Sequence, residues 1–418
     1  MRYNEKNIWI LNHYATDMYY NEGGRHYSFA SNLKSKDYNP VIFCANTRHN
    51  NNDYVDTGES LYVTEHSNGI PFNFVKTRPY EDNGIQRIKN MLSFYKNVKK
   101  AAKQYSKVNS KPDIIIASSV HPLALIAGVK LAKYYNIPCI TEVRDLWPES
   151  LVAYGVIKPN NILTKLLYKG EKWIYKKSNR IIMTWPGGGK YIEDKGWSND
   201  INLNNVHHIS NGVELETFDY NCENYEYIDS DLDNRNQKNI VYTGSIRKVN
   251  NINNLLDVAK LIKHEGKNDI RFLIFGNGNE LENLIDRCNR EGINNVIFKG
   301  RVDKKFIPSI LTKSTINILH NSSTSLDKYG QSQNKLFEYL AAGNPIVQTY
   351  TTGFSVYQKY NCGLSSSNQH PSDIAQNILY LIENREKRQF LGENARKASY
   401  DFDYKELTNK LIELIEST

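Results

Sequence analysis

The chain has 418 residues, of which 40% are apolar and 23% charged, a composition typical of a folded protein with room for two domains rather than of a disordered chain. Its five scattered cysteines are odd in number and lack CxxC spacing, which argues against a disulfide framework or a zinc site and favours a reducing compartment. The net charge of +8 is concentrated in residues 1–190, where 27 Lys and Arg face 15 Asp and Glu, so we expect an anionic partner there.

The chain shows no stretch of about 18 uninterrupted apolar residues, and its first residues lack the apolar segment of a secretory signal. We therefore predict a cytoplasmic protein that is either soluble or attached peripherally to the inner face of the cell membrane.

Strand-like and helical stretches alternate through the first half of the chain. Helices are predicted between most of the strands, for example at Arg25–Ser35 and Leu123–Tyr135. The predicted strands are Ile8–Asn12, Pro40–Ala45, Asp113–Ser118, Pro138–Glu142 and Arg180–Thr184. This alternation predicts a parallel sheet covered on both faces.

A second series of the same kind follows Asn211-Gly212. Its predicted strands are Asn239–Thr243, Arg271–Phe275, Asn295–Phe298, Ile316–Leu319 and Pro345–Gln348, again separated by helical stretches. We predict an α/β protein of two Rossmann-like, doubly wound domains, residues 1–200 and 201–402, that face a cleft. In such sheets ligands bind beyond the carboxyl ends of the strands.

Several glycines and basic residues follow predicted strands. They are Gly23, Gly24 and Arg25, then Gly244, Arg247 and Lys248, and finally Gly276 and Arg301. Glycine permits close backbone approach, and helix N-termini and basic side chains attract phosphate, so these residues are candidates for binding a phosphorylated ligand. Each segment is also consistent with a tight turn or a solvated basic loop.

A further helix is predicted to begin near Gln333 and to end at Gly343. Glu338 is the carboxylate in its otherwise apolar stretch Leu336–Leu340. A carboxylate near a helix start can accept hydrogen bonds from two sugar hydroxyls, whereas the periodicity alone favours a solvent-facing position.

At this helix the sequence resembles a known family. The run Asn334–Tyr339, followed by Ala341-Ala342-Gly343 and Pro345, resembles the signature of glycosyltransferase family 4, a large retaining family with the GT-B fold. The glycines named above and the Ile209–Val213 segment match other landmarks of that family in the right order. The run Glu142–Ser150 resembles a branch that makes O-antigens and capsules and includes N-acetyl-fucosaminyl transferases.

The resemblance implies an N-terminal acceptor-side domain, a C-terminal nucleotide-sugar domain, and a last helix, about 403–418, that packs back on the first domain. It implies a retaining transfer from a UDP-sugar without a metal or other cofactor. It also adds Asn334 and Lys335 to the donor-binding candidates, with Glu338 on the ribose and the Gly23-Gly24 loop, Arg247 and Lys248 at the leaving diphosphate.

Four positions depart from the family pattern. Gly330 stands where many members have a first Glu, and Ser245 and Asn250 stand where they have Arg and Lys. Arg144 stands where many have a His that meets the 6-hydroxyl region of the donor sugar. We therefore hypothesise a 6-deoxy or otherwise altered donor; a structural ion pair of Arg144 with Asp145 or Glu149 is the alternative.

Arg144, Asp145, Glu149 and His121 are the candidate catalytic residues, in contact with the acceptor or the donor sugar. A capping or packing role is the alternative for His121, which follows a predicted strand. No metal site is predicted: Asp229, Asp231 and Asp233 share the spacing of an Asp-x-Asp metal motif but lie in a polar linker with no buried strand before them.

Two basic segments, residues 86–111 and 162–180, interleave lysines with apolar residues. They suit an anionic membrane surface, although a solvated helix face has the same composition. No recognition motif accompanies the charge, so nucleic acid is not expected as a partner.

The sequence thus predicts a hexosyltransferase that moves an N-acetylated, 6-deoxy or similar hexose from a UDP-sugar to a lipid-linked saccharide in capsule or O-antigen synthesis. Two alternatives stay open. One is a UDP-sugar epimerase of the same fold, and the other is a non-catalytic subunit that binds a glycan.

Overall fold

A computed structural model describes residues 5–48, 53–80, 84–119 and 121–418. It divides into two compact domains, one formed by the chain up to Ser210 together with Tyr404–Thr418, and the other by Asn211–Asp403. Each domain has a sheet of mainly or wholly parallel strands with helices packed on it, which confirms the predicted α/β class.

In the part of the first domain that the structure describes, eight strands form a sheet in the order β3-β4-β2-β1-β5-β6-β7-β8. They are β1 (Asn7–Asn12), β2 (Asn39–Ala45), β3 (Tyr62–Ser67), β4 (Ile70–Val75), β5 (Ile114–Ser119), β6 (Cys139–Val143), β7 (Arg180–Met183) and β8 (Val206–His208). The central strands are buried on both faces, as expected for near-continuous apolar runs in a parallel sheet.

Among the described residues of this first stretch, seven segments are α-helical. They are α1 (Thr16–Tyr20), α2 (Arg25–Lys34), α3 (Ile85–Val108), α4 (Pro122–Tyr135), α5 (Glu149–Ala153), α6 (Ile162–Lys177) and α7 (Gly188–Asp194). Helices α2 and α4 follow β1 and β5, so their N-termini lie at the carboxyl edge of the sheet.

The second domain contains six parallel strands in the order β11-β10-β9-β12-β13-β14. They are β9 (Lys238–Thr243), β10 (Ile270–Phe275), β11 (Val296–Gly300), β12 (Ile316–Leu319), β13 (Ile346–Gln348) and β14 (Gly363–Ser365). The helices are α8 (Leu215–Asn224), α9 (Ile252–His264), α10 (Leu281–Glu291), α11 (Ile307–Thr312), α12 (Asn334–Ala342), α13 (Val356–Tyr360), α14 (Pro371–Glu383) and α15 (Arg385–Ser399).

The last helix, α16 (Tyr404–Glu416), packs on α2 of the first domain. Tyr404, Leu407, Leu411 and Leu414 of α16 belong to the same buried cluster as Phe29 and Leu33 of α2. Burying this apolar stripe fixes the end of the chain to the first domain.

The domain boundary lies between Ser210 and Asn211 rather than at residue 200. The reason is β8, a short strand that pairs with β7 through Val206–His208 and so completes the first sheet. The sequence prediction did not include β8.

All ten predicted strands are present, with bounds shifted by at most two residues. The hairpin of β3 and β4 was missed, and it adds the antiparallel pair of the first sheet. Its turn is Asn68-Gly69, both with positive φ, a dipeptide that strongly favours a two-residue hairpin loop.

Candidate functional site

In the second domain, glycines end the two strands β9 and β10 and bring their turns into backbone contact. A Cβ added to Gly276 would lie 1.7 Å from the carbonyl oxygen of Gly244, and one added to Gly278 would lie 2.0 Å from that of Ile246. Gly244 and Gly276 also have φ angles of 152° and 146°. These glycines are therefore required by the fold itself, whatever ligand approaches them.

Lys335, in the first turn of α12, lies directly over Gly244. A Cβ at Gly244 would be 2.7 Å from Lys335 Nζ, which donates to the hydroxyl of Tyr242 at 3.0 Å and lies 4.2 Å from the centre of its ring. Loss of hydration lowers the pKa of Lys335 to about 7, with Glu338 opposing the shift and Arg247 adding to it. The Lys335 amine therefore lies at the end of β9, and its role in binding an anion stays a prediction.

Glu338 lies one helical turn after Lys335, on the same side of α12. Its side chain is 23% exposed, and the nearest cation is Lys304, whose Nζ is 4.0 Å from Oε1. Burial raises the pKa of Glu338, while the charges of Lys304 and Lys335 oppose that shift. The Glu338 side chain is thus neither fully solvent-facing nor part of the core.

The other donor-binding candidates of this domain are exposed beside these strand ends. Arg247 donates through Nε to Ser245 Oγ at 3.3 Å, and Lys248 follows it in the same loop. Arg301 comes directly after β11, and Asn334 is the first residue of α12. Their basic groups and amide surround the end of the sheet, and their role in ligand binding stays a prediction.

Behind the start of α12 lies a buried polar network that the sequence did not reveal. The Tyr350 hydroxyl lies 3.0 Å from both Gln331 Oε1 and Asn321 Oδ1, either of which can accept its one proton, and Gln333 Nε2 donates to Tyr350 at 2.9 Å. Gln333 Oε1 is buried and has no hydrogen-bond partner among the described residues. Gly330 precedes this network with φ of 97°, a conformation that a Glu would adopt only with strain.

In the first domain, the predicted donor-binding residue Arg25 is buried. It is 2% exposed, and its guanidinium binds Glu142 Oε2 at 2.8 Å and the backbone carbonyls of Ile209 and Ser210. His26 donates through Nε2 to Glu142 Oε1 at 2.8 Å, because its Nδ1 accepts from Asn12 Nδ2. The sequence did not reveal these contacts, because a helix start at a glycine turn does not tell which way its first side chain points. A donor-binding role for Arg25 stays a prediction.

Glu142 is the centre of this buried network. It is 1% exposed, and Ser118 also donates to its Oε1 at 2.8 Å. Burial alone would raise its pKa, but the charges of Arg25 and His26 hold that pKa well below the ordinary value. The network ties α2, β5, β6 and the segment after β8 together beneath Gly23 and Gly24, of which Gly24 has φ of 100°.

The predicted catalytic residues after β6 have different environments. Arg144 Nε is buried with no hydrogen-bond partner among the residues that the structure describes, while Asp145 is exposed. Glu149 instead binds Lys195 and the Tyr168 hydroxyl. The ion-pair alternative for Arg144 is therefore wrong for Glu149, whose carboxylate is held by another cation.

His121 precedes α4 and forms no capping hydrogen bond there. Its Nε2 lies 2.8 Å from Nδ1 of His13, whose Nε2 lies 2.7 Å from Asn90 Oδ1. Burial, with the charge of Arg87, lowers the pKa of His121 to about 3. His13 was missed by the sequence analysis; its place directly after β1, at the carboxyl edge, was the available signal.

Two family models match the chain in succession. The Glycosyltransferase Family 4 model matches residues 26–217, and the model of glycosyl transferases group 1 matches residues 225–398. The chain belongs to the glycosyltransferases. Its two domains therefore carry the two halves of a GT-B enzyme family, as the motifs around Glu338 predicted.

One curated protein is similar to part of this glycosyltransferase in sequence, and two solved structures are similar to it in fold. The probable glycosyltransferase WbjE of Pseudomonas aeruginosa is 25% identical over 183 residues, a region that spans 42% of this chain and 44% of WbjE. The Anabaena protein Alr3699/HepE in complex with UDP and glucose has a TM-score of 0.67 at 13% identity, over 99% of this chain and 100% of its own. WaaG, a glycosyltransferase involved in lipopolysaccharide biosynthesis, has a TM-score of 0.65 at 11% identity, over 98% of this chain and 100% of the WaaG chain.

The aspartates of the linker in this glycosyltransferase have structural partners. Asp229 and Asp231 both bind Lys299 at 2.7 Å, and Asp233 binds Lys313 at 2.7 Å. Within the described ranges, no group of three or more His, Cys, Asp or Glu side chains could hold a metal ion. No described helix is both long and apolar enough to cross a bilayer.

Proposed function

We propose that this glycosyltransferase moves a sugar from a UDP-sugar to a lipid-linked saccharide during surface-polysaccharide synthesis. The observation that carries the proposal is the placement of Lys335 and Glu338 on one turn of α12, beside the glycine contact of β9 and β10. A structural neighbour of the same fold binds UDP and glucose, and another takes part in lipopolysaccharide biosynthesis.

The donor would bind along the strand ends of the second domain. Lys335 offers a cation above Gly244, and the exposed Arg247 and Lys248 add positive charge for the leaving diphosphate. Glu338 offers two acceptor oxygens, which match the paired hydroxyls of a ribose. These residues supply charge stabilisation without a metal, in line with a retaining, metal-independent transfer.

The donor sugar would be an N-acetylated, 6-deoxy hexose. Arg144 is the reason, because its Nε is buried and unpaired among the described residues and stands where many family members have a histidine. A guanidinium donates hydrogen bonds but accepts none, so it does not replace an acceptor for a 6-hydroxyl donor. It would suit the oxygen of an N-acetyl group.

The acceptor would lie at an anionic membrane surface, at the inner face of the cell membrane. On α6, Ile162, Leu163 and Leu166 are between 55% and 77% exposed, and Lys165 and Lys169 flank them. On α3, Ile88 and Leu92 are exposed among lysines while Phe94 and Val98 face the core. Apolar side chains between lysines suit the boundary of an anionic bilayer, where each base adds about 1 kcal/mol.

Activity is tested with UDP-N-acetylfucosamine and UDP-N-acetylglucosamine, each with and without membranes from a strain that supplies lipid-linked saccharides. We expect UDP release that requires the membranes, is greater with the 6-deoxy donor and is indifferent to EDTA. A new UDP-sugar formed without an acceptor would identify an epimerase instead. Binding of UDP-sugars with no turnover on any acceptor would identify a non-catalytic subunit.

Membrane attachment is tested separately by co-sedimentation with phosphatidylcholine vesicles, with and without phosphatidylglycerol. We expect the anionic vesicles to bind the protein, and the double variant Leu163→Ser, Leu166→Ser to bind much less. The matched control removes two exposed apolar side chains of the second domain, Leu261→Ser and Phe390→Ser. An equal loss of vesicle binding in both double variants would contradict docking through α6.

A further inference from the structure

Three buried side chains form a hydrogen-bonded chain at the carboxyl edge of the first sheet. Asn90 of α3 contacts His13, which follows β1, and His13 contacts His121 at the start of α4. All three side chains are at most 2% exposed. None of them takes part in the network around Glu142.

The Asn90 amide sets the direction of this chain. Its Nδ2 donates at 2.6 Å to the backbone carbonyl of Arg78, which can only accept, so the oxygen Oδ1 is the atom that faces His13. The same Nδ2 also reaches the hydroxyls of Thr47 and Thr77 at 3.1 and 3.2 Å. The Asn90 amide therefore cannot flip without losing the carbonyl contact.

The positions of the ring protons follow in order. Because Asn90 Oδ1 accepts, His13 Nε2 carries a proton, and the neutral ring leaves Nδ1 of His13 as an acceptor. His121 Nε2 must then donate to His13 Nδ1, which leaves His121 Nδ1 with a free lone pair. That nitrogen is buried and has no partner in the part of the chain that the structure describes.

Both rings are held in place. His13 stacks on Tyr14 at 4.5 Å with an interplanar angle of 22°, and packs against Phe94 at the same distance. Burial and the charge of Arg87 lower the pKa of His121, and the N-terminus of α4 also disfavours a proton there, so its ring stays neutral. The backbone N–H of Arg144 donates to Ser119 Oγ at 3.3 Å, so the end of β5 that precedes His121 lies beside the loop that follows β6.

We propose that His121 Nδ1 accepts a hydrogen bond from a hydroxyl of the sugar substrate, and that His13 and Asn90 are positioning residues that fix its tautomer. A buried acceptor without a donor is unfavourable, and a sugar hydroxyl supplies the missing donor. The inference rests on the proposed function for its substrate class, since sugars are the hydroxyl-rich ligands of that reaction. The tautomer assignment rests on the hydrogen bonds alone.

The direct test is ¹⁵N–¹H NMR of the histidine-labelled protein at neutral pH, with the signals assigned from His121→Asn and His13→Asn. We expect His13 and His121 both to carry the proton on Nε2. Added UDP-N-acetylfucosamine, UDP-N-acetylglucosamine or a free acceptor saccharide should shift the His121 Nδ1 signal, and UDP alone should not. A response to the UDP-sugars assigns the donor, and a response to the saccharide assigns the acceptor.

Two outcomes overturn the inference. One is a proton on His121 Nδ1, and the other is an unmoved His121 signal when a sugar ligand saturates the protein, which would indicate a buried water as the partner. If no nucleotide sugar binds at all, the proposed function is wrong. The NMR spectrum without ligand still tests the tautomers of His13 and His121 in that case.

Variants separate substrate contact from positioning. His121→Asn retains an acceptor oxygen near the place of Nδ1 and should keep KM within a few-fold, while His121→Leu should raise KM for the sugar-bearing substrate about tenfold. His13→Asn keeps an acceptor for His121 and should preserve its Nε2 proton, whereas His13→Leu should give mixed tautomers. Equal KM values for the two His121 variants would contradict the substrate contact.

Discussion

The two domains of this glycosyltransferase position their candidate residues in different ways. In the second domain, Lys335 and Glu338 stand on the first turns of one helix, beside strand ends where Gly244 and Gly276 touch backbone to backbone. In the first domain, the polar residues are buried in side-chain networks, and Arg25 and Glu142, which are paired there, lie 117 positions apart. A backbone contact leaves glycines in the sequence, whereas a distant side-chain pairing leaves no local pattern.

The contrast between the two domains is tested most strongly by a substitution of Glu142, the centre of the buried network in the first domain. Glu142→Gln leaves the buried Arg25 without a compensating charge, so we expect the free energy of unfolding to fall by about 3–5 kcal/mol in urea titrations. The control Glu383→Gln changes an exposed pair with Lys267 and should have little effect. Equal effects of the two variants would show that the buried network does not stabilise the first domain.

The same variant should change the response to acid. The pKa of Glu142 is depressed in the folded state. Its contribution to the free energy of unfolding is therefore present above the ordinary pKa of 4.5 and is lost as the pH falls below that value. Unfolding measured between pH 7 and pH 3 should therefore show a shallower loss of stability for Glu142→Gln than for the wild type.

The second domain is tested by two glycine substitutions. Gly276→Ala strains a positive φ, at about 1–3 kcal/mol, and drives a Cβ against the backbone oxygen of Gly244. Gly244→Ala has similar strain but meets mainly the movable end of Lys335. We expect a larger loss of thermal stability for Gly276→Ala, and the reverse order would contradict the backbone contact described here.

A smaller effect should appear in the pH dependence of nucleotide binding. The pKa of Lys335 is about 7, so its charge is present below that pH and is lost above it. UDP affinity, measured by calorimetry, should fall by up to about tenfold from pH 7 to pH 9. Lys335→Arg keeps its charge over this range and should remove most of that dependence.

The fold could be predicted from the sequence to a large extent. Apolar runs such as Ile8–Leu11 and Ile270–Phe275 marked the buried parallel strands, and Asn68-Gly69 marked a hairpin that was overlooked. Short strands such as β8 and β14, three residues each, carry too few residues for a periodic pattern.

The candidate site could be predicted less completely. The spacing of Lys335 and Glu338 in the sequence predicted that they share one helix, and both lie on α12 in the structure. The direction of Arg25 and the pairing of His13 with His121 depend on packing between separate elements, so no local spacing reveals them. These long-range side-chain contacts could therefore be identified only from the three-dimensional structure.

The most direct test of the account is calorimetric titration of UDP into the wild type, Lys335→Met and Glu338→Gln, with the exposed Lys397→Met as the control. A charged hydrogen bond contributes about 1.5–3 kcal/mol, so we expect each site variant to weaken UDP binding by about tenfold or more. Lys397→Met should bind like the wild type. If UDP does not bind, or binds equally well to all four proteins, then Lys335 and Glu338 do not hold the donor nucleotide.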